Sequence, residues 1–260
     1  RAVKIRSRES SVSVQYLRAG KIYEASAPYL IYAAQIHFAP KIIEGLKVKD
    51  PKKVEAIDSI DYAHYIVHVV NVKGHPFRET YDTWTRAADY TPYDFTDVIL
   101  GRWLDPAIKG YEGMRDFKKH PNDDHGVFTI YHPFHLAKST KGTKTGPEMQ
   151  AHAKMVATKA VDRLKQIFGP MLKEKWGTKI EVTSVETNLW PYSIHIAHPG
   201  FFTKTAKELR RPFGRVYFAG NNMGTPSFEE ALFRGHCAAN DILRKIESSF
   251  KQEPWTKCPN

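Results

Sequence analysis

Cysteine is nearly absent from this chain. Only Cys237 and Cys258 occur among its 260 residues, too few for a disulfide framework or a C-x-x-C metal motif, and they say little about compartment. Long hydrophobic runs are missing as well. No stretch approaches the ~20 apolar residues that span a bilayer, and no signal-peptide pattern opens the sequence. Internal repeats and low-complexity tracts are also absent. An initiating methionine is lacking: the sequence opens at Arg1, directly inside a strand-like pattern. These absences predict a soluble chain that is a piece of something larger, its natural beginning lost or carried on a processed precursor.

What is present supports a real core. The hydrophobic fraction is 42% and aromatics make up 12%, and a chain of this size buries roughly 70% or more of its unfolded surface, as one large domain or two interleaved ones. The net charge is +11, which admits nucleic acid, an anionic membrane surface or an acidic partner. The basic residues lie in short scattered groups such as Lys4/Arg6/Arg8, Lys52/Lys53 and Lys207/Arg210/Arg211. With no basic helix, RNA-binding signature or helix-turn-helix pattern, nucleic acid is set aside in favour of an acidic partner chain.

Along the chain, Val3 and Ile5, then Val12, Val14 and Tyr16, then Ile22 and Tyr23 alternate with polar residues around turns, predicting a three-stranded antiparallel meander. Tyr29–Ala34 is apolar on both faces, as in a central strand, and Ile42, Ile43 and Leu46 begin a short helix before the charged spacer Lys47–Lys53. Between about 54 and 190 the character changes. Tyr65–Val72 is a strong β run, with Thr80–Arg86, Phe95–Leu100 and Gly126–Tyr131 as weaker strands. A long helix is expected to open at Pro147 and to end at Gly169-Pro170. Lys179–Glu186 reads as a strand and Asn188–Gly200 as a Trp/Pro/His-rich loop. The reading is α+β: residues 1–54 and 191–250 build one domain, 55–190 are inserted into it, and 251–260 form a tail.

The most informative stretch is Arg215–Ile246. Val216–Ala219 is a short apolar strand stopped by Gly220, followed by the turn formers Asn221, Asn222, Gly224 and Pro226. Ser227 and Glu230 have the S-x-x-E spacing of a capping box. From there Phe228, Ala231, Leu232, Gly235, Ala238, Ala239, Ile242, Leu243 and Ile246 recur at helical spacing and predict one apolar face. A strand that feeds a helix N-terminus through such a loop collects free N–H groups and the positive end of the helix dipole, the usual setting for anionic or electron-poor ligands.

Phe218-Ala219-Gly220, the loop, and Phe228-Glu229-Glu230-Ala231 with Gly235 and Ala238-Ala239 resemble the carboxyl-terminal flavin motif of FAD-dependent amine oxidases. Asn221 stands where that family usually has Asp or Glu, and Glu230 where it has glycine. Trp190-Pro191-Tyr192-Ser193 gives the chain the flavour of the spermidine-dehydrogenase-like branch. The resemblance implies part of a Rossmann-like FAD domain with an inserted substrate domain, and hydride transfer from a carbon next to nitrogen to flavin N5. It places Gly220, Asn221, Asn222, Ser227, Phe228, Glu229 and Ala231 at the cofactor, with the Phe228 N–H facing flavin N1/O2. Trp190, Tyr192 and Phe134 become either cavity walls or core aromatics. His64 becomes a base or water-holding residue, or a satisfied strand-end histidine. Arg234 reaches an FAD oxygen or stays salt-bridged. The family's amino-terminal G-x-G-x-x-G unit is absent, so the diphosphate side is expected on a second chain or a cleaved amino-terminal segment. The expected substrate is a small amine, and the expected location is periplasmic by resemblance, otherwise cytoplasmic. The pairs His132/His135 and His195/His198 lack a third ligand at fixed spacing, and no metal is expected. The competing reading is a non-catalytic subunit with a degenerate flavoenzyme fold that binds an acidic partner.

Overall fold

The computed structural model describes residues 1–74, 76, 82–84, 95–100, 125–134, 146–247, 249–251 and 258. In chain order the elements are β1 (Ala2–Ser7), β2 (Val12–Arg18), β3 (Lys21–Ala27), β4 (Leu30–Tyr32), α1 (Ala39–Ile42), α2 (Leu46–Lys49), α3 (Pro51–Asp58), β5 (Asp61–Lys73), β6 (Asp82–Trp84), β7 (Asp97–Leu100), β8 (His125–Phe134), α4 (Gly146–Trp176), β9 (Val182–Ile196), α5 (Ala206–Arg210), β10 (Val216–Phe218) and α6 (Phe228–Ile246). The fold is α+β. It divides into two compact units, residues 1–61 with 194–260, and residues 62–193. The expectation from sequence puts the boundaries at 54/55 and 190/191.

In the first unit, β1, β2 and β3 form an antiparallel meander. Ile5 and Val12 are buried, while β3 is exposed along its whole length. The short strands β4 and β10 pair in parallel, Leu30 with Val216 and Tyr32 with Phe218. Tyr217 and Ala219 on this pair pack against Ala238 of α6, with Tyr29 and Ile242 alongside. The charged spacer hides an anchor. Asp50 caps α3 by accepting from the Lys53 N–H at 3.2 Å, and the fully buried Lys53 side chain donates to the Glu208 and Leu209 carbonyls of α5 at 2.5 and 3.0 Å. Those carbonyls are among the last four of a helix, which have no intrahelical donor.

The second unit is a five-stranded sheet in the order β6-β7-β8-β5-β9 covered by α4. Strand β5 alternates buried and half-buried residues, so His64, Ile66, His68, Val70 and Val72 share its covered face. Val70, Val72, Phe128 and Ile130 meet Ala160, Leu164, Phe168 and Leu172 of α4. Two sequence expectations are corrected. The helix does not stop at Gly169-Pro170 but runs to Trp176 with Pro170 inside it. Leu164, Phe168 and Leu172 are buried on both sides of the proline, and the packing they supply outweighs the lost backbone bond. Asn188–Gly200 is not a loop throughout, because β9 continues to Ile196. The expected strand Thr80–Arg86 lies largely outside the described residues, which retain only Asp82–Trp84 of it.

Candidate functional site

The feature to build from is the turn between β10 and α6. Gly220 leaves the strand at φ 137°, a conformation L side chains avoid, and Asn221–Met223 form a single 3-10 turn. Two side chains outside the turn fix it. His195 donates from Nε2 to the Gly224 carbonyl at 2.7 Å and stacks on Phe201, and Arg210 donates from Nη1 to the Met223 carbonyl at 3.2 Å. Burial pulls the His195 pKa down, against the raising influence of its bond to Gly224, so the ring serves as a neutral donor. Sequence reasoning treated His195 only as half of an H-x-x-H pair. The other half, His198, lies 3.6 Å from Asp61, and the two histidines hold different partners. Among the described residues no group of three or more His, Cys, Asp or Glu is arranged to hold a metal ion.

Helix α6 opens on Ser227, whose hydroxyl accepts from the Glu230 N–H at 3.1 Å. Only this half of the capping box forms. The Glu230 carboxylate pairs with Arg234 at 2.6 Å instead of reaching back, and it lies so close to Gly224 that a Cβ there would sit 1.7 Å from Oε1. Phe228 and Glu229 occupy the first turn, where helix geometry leaves the amides without an intrahelical acceptor, and both side chains are exposed. Gly220, Asn221, Asn222, Ser227, Phe228, Glu229 and Ala231 therefore fall within one loop and one helical turn.

The helix face departs from the sequence pattern. Arg234, Cys237, Ala238 and Asn240 are its buried residues, while Phe228 (79%), Leu232 (66%) and Ile246 (62%) are strongly exposed. The expected apolar stripe is real in sequence, but this part of it has no covering element among the described residues. The two cysteines, uninformative in sequence, form a disulfide between Cys237 of α6 and Cys258 of the tail.

In the other unit, His64 is buried at the start of β5 and its register partner on β8 is Phe134. The Tyr192 ring lies 6.2 Å from the His64 ring and 5.5 Å edge-on from that of Tyr62. Tyr192 holds φ 60° on β9, a rare value for an aromatic residue, and Trp190 is exposed. The Phe134 side chain and all of His135 lie outside the described residues. Sequence reasoning passed over His68, which is fully buried, bonds Thr187 Oγ1 at 3.0 Å through Nδ1, and faces His132 edge-on at 6.3 Å. The alternation running from His64 through Ile66 was the signal that could have found it.

No family model matches this sequence. Solved structures do. Cyclohexylamine oxidase from Brevibacterium oxydans IH-35A superposes with a TM-score of 0.58 at 15% identity, covering 95% of this chain and 48% of that one. A protoporphyrinogen oxidase-like protein from Exiguobacterium sp. 255-15 gives 0.51 at 12% identity, covering 96% of this chain and 46% of that one. The chain shares its fold with both. It spans about half the length of each, and at these identities the likeness concerns fold alone. No described helix is long and apolar enough to cross a membrane.

Proposed function

We propose that this chain is the flavin-ring and amine-binding portion of an FAD-dependent amine oxidoreductase, of the spermidine-dehydrogenase-like kind. The observation that carries the reading is the delivery of a parallel strand pair, through a pinned glycine turn, to the Ser227-capped start of α6, in a fold shared with an amine oxidase. FAD, when bound, supplies the acceptor for a hydride from the carbon beside the amine nitrogen. The residues fit the ring end of that cofactor. Gly220 has open space around its Cα, and the first-turn amides of Phe228 and Glu229 offer donors and a positive dipole where charge develops on reduction. The chain's own work is to orient the ring edge through these amides. His195 and Arg210 act as positioning residues for the loop.

His64 is assigned as a base or water-holding residue, and Trp190, Tyr192 and Phe134 as aromatic surface for an amine cation. The residues for the diphosphate come from another chain or from an amino-terminal segment. The exposed Phe228, Leu232 and Ile246 stripe supports a covering partner, and the net charge of +11 favours an acidic one. The disulfide favours the periplasmic reading over the cytoplasmic, since such bonds persist in oxidising compartments. A second reading, a non-catalytic subunit that kept the fold, rests on Glu230. Its carboxylate fills the space beside Gly224 and adds negative charge where the ring edge would lie.

The visible spectrum of the protein, purified with whatever accompanies it, separates the two. Flavin bands, present or restored by FAD, support the enzyme; their absence in both conditions leaves the non-catalytic subunit. Phe228→Pro then tests the site, because proline is tolerated at the first helical position but has no N–H. Flavin retention should fall, and unchanged retention refutes the assignment of that amide.

A further inference from the structure

Beside the middle of α6 lies a cavity of about 190 Å³. At roughly 30 Å³ per water it has room for about six waters, enough for a tetrahedral oxyanion and a small substituent. Lys207 and Arg210 of α5, Arg211 just after it and Arg234 of α6 line it together with Tyr217 and Asp241. Cys237 also lines it, about 13 Å along the helix from Phe228 at 1.5 Å per residue.

The charges do not cancel. Arg211 is held by Asp50 and Glu208, Arg234 by Glu230, and Asp241 is engaged by Arg244. Lys207 and Arg210 have no carboxylate partner among the described residues. Arg234 is only 7% exposed, and although its Nε is bonded to Glu230, its Nη1 is buried with no hydrogen-bond partner. A buried guanidinium N–H left unmet is costly. Burial, and then the Arg234 cation, push the Arg210 pKa down, against the raising influence of Glu230.

We infer that this cavity is a binding site for a phosphate group, as the free ion or as a small phosphomonoester, held by Arg210, Arg234 and Lys207. Guanidinium forks match the geometry of phosphate oxygens, and an exposed lysine at the rim draws the anion in. None of its residues belongs to the loop or to the first turn of α6, but Arg210 also holds the Met223 carbonyl of that loop, so Lys207→Gln, which leaves that bond in place, is the variant that separates this site from the flavin reading.

The test is a titration of the full chain, with whatever accompanies it, using inorganic phosphate at constant ionic strength balanced by chloride. Melting temperature and ³¹P line width are the readouts. A saturable rise in melting temperature with matching line broadening is expected, weakened about tenfold by Arg210→Gln and less by Lys207→Gln. Ribose 5-phosphate in a parallel titration identifies the source: tighter binding than phosphate assigns the ester, equal binding the free ion. A response no greater than that to chloride overturns the proposal. So does a saturable response unaltered in both variants. Flavin content, read separately by absorbance, distinguishes failure here from failure of the flavin reading.

Discussion

The ammonium of Lys53 lies 4.4 Å from the centre of the Phe218 ring, so the last residue of β10 is braced from beneath by a cation. Burial, and secondarily the Arg211 charge, pull the Lys53 pKa down from 10.5 to about 7. Below pH ~7 the amine is protonated folded and unfolded alike. Between about 7 and 10.5 only the unfolded chain holds the proton, so stability contributed at this site rises with pH across that window, at up to ~1.4 kcal/mol per pH unit. Urea unfolding at pH 7, 8 and 9 should show this slope, and Lys53→Met should remove it. Lys53→Met also removes the side-chain donor to the Leu209 carbonyl and leaves the Glu208 carbonyl only the Arg211 N–H. A slope that survives the substitution contradicts the assignment.

His68 gives the opposite end of the pH scale. Burial, with a smaller contribution from His132, lowers its pKa to about 4. Above pH ~6.5 the ring is neutral in both states and its contribution is fully present. As pH falls from about 6.5 towards 4 the unfolded chain takes the proton first and stability is lost. Thermal denaturation at pH 7, 6 and 5 should fall more steeply for the native chain than for His68→Gln.

Gly224 and Glu230 compete for one volume. Gly224→Ala must expel the Glu230 carboxylate and so break its pair with the buried Arg234, a loss of about 3 kcal/mol for a buried ion pair. Glu230→Ala already removes that pair, so the double variant should cost little more than Glu230→Ala alone. Additive losses in the double-mutant cycle would show that the contact is not the source.

Closing the chain between Cys237 and Cys258, 21 residues apart in sequence, contributes about 3 kcal/mol on the loop-entropy account. The melting temperature should drop in dithiothreitol, and the Cys237→Ser/Cys258→Ser chain should be insensitive to it. No change on reduction of the native chain would contradict this.

The legible parts of the sequence were those where a local rule coincides with the fold. Alternation marked β1 and β2, a run of β-formers marked β5, and Ser227 was readable as a cap because its acceptor role is satisfied within its own turn. Where the deciding partner is remote, local rules failed. Lys53 sits in a run of charges that reads as solvated spacer, yet the carbonyls that justify its burial belong to α5. Pro170 reads as a stop, but packing against residues of other elements on both sides of it accompanies a continuous α4. Glu230 had the spacing of a capping box, and Arg234 one turn on took its carboxylate away. The hydrophobic period of α6 was read correctly, but period alone does not say which side a neighbour covers.

The strand pair β4 and β10 joins Leu30 to Val216, with the whole of residues 62–193 between them. That intervening unit is contiguous and closes its own sheet. During synthesis it has all its parts before β10 leaves the ribosome, whereas the first unit must keep β4 unpaired until more than three quarters of these residues are made. The inserted unit should therefore fold first and shorten the loop that β4 and β10 must close, reducing its entropic cost. The apolar Leu30–Tyr32 segment is therefore an unpaired strand edge for most of the synthesis of these residues.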